Sequence, residues 1–228
     1  MTRLDPDLYV EHIRNESARF REVLAECDPA ARVPSCPDWS AADLLWHLTT
    51  VQWFWTTVVV DRPSEVDLAG EPSRPGTHDE ALKMYEHWSH ALTAALDGVP
   101  PDDEAWTWSS DPDDHTVGFI MRRQAHEALI HRIDAELAAG TESELDANLA
   151  ADGVEEVLGV MYGACPRGAR GSPFPMSCAS TAPTRATRSG CSSDSSAGPT
   201  RRAARSTSTT RTATSSTRPP ALTSNLMW

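Results

Sequence analysis

Apolar residues recur at intervals of three and four through five stretches of this chain, the spacing of helices that each bury one face. The first predicted helix runs from about Asp7 to Cys27, with Tyr9, Ile13, Phe20, Leu24 and Cys27 in one row. Pro29, Pro34 and Pro37 then predict an extended connection, because proline fixes its own φ and biases the residue before it away from helix. Ser40 with Asp43 reads as a capping box, and Trp39 is placed to staple onto Leu44. That second helix continues to about Val60 and stops before Pro63. Thr77 and Glu80 cap a third helix through Leu96, its apolar stripe being Ala81, Tyr85, Trp88, Leu92 and Leu96. A fourth runs from about Val117 to Ala139 and is closed by Gly140, and a last from about Ala147 to Met161. No strand of consequence and no internal repeat is expected. The pattern predicts an all-α fold, a four-helix bundle with polar side chains facing inward at one level.

Those inward polar residues are unusual. Glu127 and His131 are four apart, so they point within about 40° of each other around the helix axis. Val117, Ile120 and Ile130 share their arc, while Arg122, Arg132 and Glu136 fall on the opposite one. His47 lies in the middle of a second apolar stripe, among Leu44, Val51, Phe54, Trp55 and Val58. Unpaired charge on a buried face is expensive, so these groups need partners. One account is a shared ion held by His47, Glu127 and His131 with a position left open, as in a catalytic zinc-type site. The alternatives are a hydrogen-bonded core histidine and an ordinary ion pair between Glu127 and Arg123, also four residues away. Asp134 is close to the Glu127–His131 face, either as the partner of a ligand imidazole or as a salt bridge to Arg123 or Arg132.

Three segments carry a resemblance. Val33-Pro-Ser-Cys-Pro-Asp-Trp39 with Ser40-Ala-Ala-Asp-Leu-Leu-Trp-His47-Leu is the first, and Arg122-Arg-Gln-Ala-His-Glu127-Ala-Leu-Ile-His131-Arg-Ile-Asp134-Ala-Glu136 is the second. Leu149-Ala-Ala-Asp-Gly-Val-Glu-Glu-Val-Leu158 is the third. Together they resemble the N-terminal domain of the mycothiol-dependent maleylpyruvate isomerase family, from near the N-terminus to about Gly163. The resemblance implies a DinB-like helical bundle with a divalent metal, zinc in first place, on His47, Glu127 and His131. It also implies mycothiol as a thiol cofactor beside the metal and thiol-assisted cis–trans isomerisation of a small conjugated substrate. Fold analogy does not fix the reaction, so thiol transfer to another electrophile and a non-catalytic metal-binding bundle stand as alternatives.

Charge changes the picture abruptly near Gly163. The chain has formal charge −13, but residues 1–163 hold 11 basic and 32 acidic side chains, whereas 164–228 hold nine arginines against Asp194. The acidic part is long enough for one globular core. The remainder is rich in Ser, Thr, Arg, Pro and Ala and has little aliphatic periodicity, which predicts a disordered or poorly folded tail. Such a tail could be a nucleic-acid arm. A frameshift explains the composition better, because in a GC-rich gene Asp, Glu and Val codons read one base late become Thr, Arg and Ser. The run from Thr207 to Pro219 would then be a displaced acidic segment of the second, smaller domain that the resemblance implies. With it would go the C-terminal contribution to the active site, including an arginine.

The remaining chemistry is subordinate. Cys27 and Cys36 form no paired framework and no signal peptide precedes them, so a cytoplasmic setting is expected. Cys36 reads as a semi-buried loop residue before a reactive thiol. No apolar run reaches membrane-spanning length, and neither a membrane nor a nucleic acid is an expected partner. His87 and His90 face away from the third helix's stripe. His126 points about 100° from Glu127 and about 140° from His131, which keeps it off a shared ion. The tryptophans read as packing anchors.

Overall fold

The structure, a computed structural model, describes residues 3–64 and 67–161. The basic segment 164–228, with its expected disorder and frameshift, lies outside the described residues. Among those residues stand five α-helices: α1 Pro6–Glu26, α2 Ala41–Asp61, α3 His78–Leu96, α4 Val117–Ala139 and α5 Ala147–Glu156. Local signals set their ends. Pro6 opens α1 at a position whose N–H needs no helical partner. Reciprocal Ser40–Asp43 and Thr77–Glu80 capping boxes start α2 and α3. Gly140 closes α4 at φ 69°, a left-handed conformation suited to glycine. Instead of continuing as α-helix to Met161, α5 gives way at Val157 to a π-helical turn.

One element departs from the expected extended connection. Strands β1 (Arg32–Val33) and β2 (Cys36–Ser40) form a small antiparallel hairpin, pairing Arg32 with Ser40 and Val33 with Cys36. The prolines do keep the chain extended, but the Pro34–Ser35 turn folds the two arms together. Val33 is then driven fully into the core.

The most extensive packing is of α1 on α4 and of α2 on α3, completed by α1 on α3 and α2 on α4. Tyr9, Ile13, Phe20 and Leu24 of α1, Leu44, Leu48 and Val58 of α2, Tyr85, Leu92 and Leu96 of α3, and Val117 and Ile120 of α4 meet in one core. The α3 stripe is rotated from the expected one: Leu82 and Ser89 are buried, whereas Ala81 and Trp88 are only partly covered. Helix α2 is buried nearly all round, as an apolar helix inside a protein should be.

Helix α4 corrects the expected two-faced pattern. Ile130, assigned to the buried arc, is exposed, while Arg122, Arg132 and Glu136 of the opposite arc are buried. The second face is covered because each charge finds a partner: Arg132 bonds Glu16 and Glu136, and Arg122 bonds Asp152. Among the described residues, no helix is long and apolar enough to cross a membrane.

Candidate metal centre

Helix α2 supplies His47 and α4 supplies Glu127 and His131, and α2–α4 packing brings all three together with their ligating atoms within 4.8 Å of one another. All three are buried. Glu127 Oε1 lies 3.1 Å from His131 Nε2 and 3.6 Å from His47 Nε2. Two donors bound at 2.0–2.1 Å to one tetrahedral ion would stand about 3.3–3.4 Å apart, which these separations bracket. His47 Nε2 has no hydrogen-bond partner despite its burial, an orphaned group of a kind that folded proteins rarely leave. The His47 ring sits edge-on to His131 and against Trp39, each at a centroid distance of 4.8 Å.

Asp134 Oδ2 lies 2.9 Å from His131 Nδ1, one turn along α4. Both nitrogens of His131 therefore face carboxylates. Burial disfavours the charged ring, but hydrogen bonds to Asp134 and Glu127 outweigh it and push the His131 pKa up to about 9. Burial likewise pushes the Glu127 carboxyl up, yet the His131 and His47 rings and the Arg123 charge hold it well below the usual carboxylate range. The metal-free site is thus a carboxylate against an imidazolium, and a cation would take the place of the Nε2 proton.

The structure also contains the plainer alternative. Arg123 Nη2 donates to Glu127 Oε2 at 2.8 Å, so the helical ion pair and the histidine cluster use opposite oxygens of one carboxylate. Asp134 pairs with neither Arg123 nor Arg132 among the bonds found: Arg123 turns to Glu127 and Glu156, and Arg132 to Glu16 and Glu136.

Two contributors were not foreseen. Ser35, in the hairpin turn, donates its hydroxyl to Asp134 Oδ1, and Trp39 covers His47. The prolines flanking this segment are the only sequence hint, since they mark a shaped loop without saying where it lands. Cys36 is half-buried, with its thiol pushed up by burial and by the Asp134 charge, which argues against a reactive thiolate.

The other histidines stay away from the cluster. His126 is buried on a different face, with Nε2 2.8 Å from Asp152, and burial lowers its pKa to about 4. His87 and His90 are exposed. Trp55 and Trp106 pack with Phe54, and Trp108 packs on Phe119.

Fold and site together define a predominantly helical domain with a buried His–Glu–His cluster of metal-ligand type. The family model described as the mycothiol maleylpyruvate isomerase N-terminal domain matches residues 10–136, and the chain belongs to that family. This span includes His47, Glu127, His131 and Asp134. No curated protein and no solved structure matches the chain.

Proposed function

We propose that this chain is a divalent-metal-binding, mycothiol-dependent isomerase of the maleylpyruvate type, built on a DinB-like four-helix bundle. His47, Glu127 and His131 would hold the ion, and Asp134 would orient His131. The observation that carries the reading is the convergence of His47, Glu127 and His131, all buried, with the unpartnered Nε2 of His47 3.6 Å from Glu127 Oε1. Two imidazoles and one carboxylate suit zinc among the common divalent ions, and three protein ligands leave room for an exogenous one. When bound, the cation would lower the pKa of a mycothiol thiol and so furnish a nucleophile able to add to a conjugated cis double bond and leave it again.

The chain's own residues do the rest. Glu127 offers one oxygen to the site while its other is held by Arg123. Asp134 fixes the ring plane of His131, and Trp39 walls one side of His47 against water. The two free cysteines in the described part fit a cytoplasmic setting. The segment after Gly163 is proposed to be a frame-displaced remnant of a second domain.

Elemental analysis of the purified full chain tests the centre. About one divalent ion per chain is expected. His47→Ala and His131→Ala should lose it and His90→Ala should keep it, and equal metal content in all three variants would sink the assignment. Fumarylpyruvate formation by the frame-restored chain with mycothiol supplied tests the reaction. If thiol is consumed on other electrophiles and no fumarylpyruvate forms, a thiol transferase replaces the isomerase reading.

A further inference from the structure

Two adjacent arginines of α4 grip two carboxylates one turn apart on α5. Arg122 makes a two-point contact with Asp152, Nε to Oδ2 and Nη2 to Oδ1, both at 3.0 Å, and Nη2 also bonds the Asp152 carbonyl. Tyr9 and His126 complete the same carboxylate. That cluster touches nothing at the proposed centre, so it is a clamp that docks α5. The second grip differs in where it leads. Arg123 Nη1 bonds Glu156, the last α-helical residue before the π turn, and Nη2 bonds Glu127. All three side chains are buried, and Arg123 is 7% exposed.

We propose that Arg123, anchored by Glu156, is a positioning residue that restricts Glu127 to one-oxygen ligation and ties the metal centre to the seating of α5. This rests on the metal reading above. The geometry divides the Glu127 carboxylate: Oε2 is occupied by a charge-assisted hydrogen bond, while Oε1 faces both imidazoles. A carboxylate free at both oxygens could rotate and chelate the ion, filling the coordination position that a thiol or substrate needs. A guanidinium can enforce the split only if it is held from behind, and Glu156 does so from another helix. Polar groups that orient metal ligands in this way commonly change metal affinity when removed. The π turn directly after Glu156 is of a type that recurs at functional sites.

Cobalt(II) loading of the full chain at pH 8 tests this, because four-coordinate cobalt absorbs visible light more strongly than five- or six-coordinate cobalt. In Arg123→Met the absorption should fall by about half or more as the freed carboxylate adds a second oxygen. Asp152→Asn weakens the clamp but leaves Arg123 its own partners, so it should lower thermal stability and disturb the spectrum less than Arg123→Met does. Glu156→Gln keeps the hydrogen-bond shape and loses its charge assistance, so it covers the case in which Arg123→Met does not fold. Cobalt absorption there should fall in the same direction as in Arg123→Met, by a smaller amount. A spectrum of Arg123→Met that overlays the parent's overturns the proposal, as does a parent-like spectrum in Glu156→Gln or a spectral change as large in Asp152→Asn as in Arg123→Met. Failure of the parent chain to take up cobalt would instead remove the metal reading, and this proposal with it.

Discussion

Asp134 holds His131 from behind: its Oδ2 sits 2.9 Å from Nδ1, which fixes the ring so that Nε2 points at Glu127. Asp134→Asn should keep the fold, because the amide oxygen can still accept from Nδ1–H. The neutral partner orients and polarises the ring less, so zinc affinity should fall roughly 10-fold to 100-fold. Competition with a chromophoric chelator measures it, and parent-like affinity would show that Asp134 does not support the ring.

The His131 pKa of about 9 gives a pH dependence with a definite sign. In metal-free protein the folded value lies above the unfolded value of about 6.5. The ring's contribution to stability is therefore fully present below about 6.5 and is lost as pH rises through about 9. Denaturant midpoints of the metal-free chain between pH 6 and 10 should show that decline.

Metal binding has the opposite slope. The ion displaces the Nε2 proton, so zinc affinity should rise with pH by about one logarithmic unit per pH unit until near 9. Calorimetry at pH 7 in buffers of different ionisation enthalpy should report about one proton released from this ring. A pH-independent affinity would contradict the assigned ligand.

Gly153 of α5 packs against His126, and a Cβ there would lie 3.1 Å from Nδ1. Gly→Ala inside a helix gains up to about 1 kcal/mol in propensity, whereas forcing volume into a packed site costs about 1–3 kcal/mol. The ring cannot yield easily because Asp152 holds its other nitrogen. Gly153→Ala should therefore lower stability in urea melts, and a stabilised variant would show that the ring moves freely.

Retranslating the gene after the Gly163 codon should yield an acidic continuation in another frame. Catalysis depends on positioned groups as well as on the ion, and the resemblance places some of them in a second domain. The 228-residue chain should isomerise maleylpyruvate weakly or not at all, the frame-restored chain markedly better, and its Glu127→Ala variant not measurably. Robust turnover by the 228-residue chain would refute the defective-tail proposal.

How much was legible depended on range along the chain. The starts of α2 and α3 and the end of α4 follow from caps a few residues wide, and the structure places them at Ser40, Thr77 and Gly140. The Glu127–His131 pairing is similarly local, since four residues bring two side chains onto one face. The β1–β2 hairpin was missed because proline marks extension without naming its partner. The burial of Arg122 and Arg132 was missed because Asp152 and Glu16 lie 30 and 116 residues away.

By itself the sequence determined the helices, the co-facial Glu127 and His131, and the placement of His47 within an apolar stripe, because helical periodicity is a property of each segment alone. Only the tertiary structure decided that His47 meets the other two, that Ser35 backs Asp134, and that Arg123 divides the Glu127 carboxylate with Glu156 behind it. Those relations depend on how whole helices are rotated and seated against one another. That seating is set by the packing of the entire core together with buried charges finding their partners, and no local window of residues encodes it.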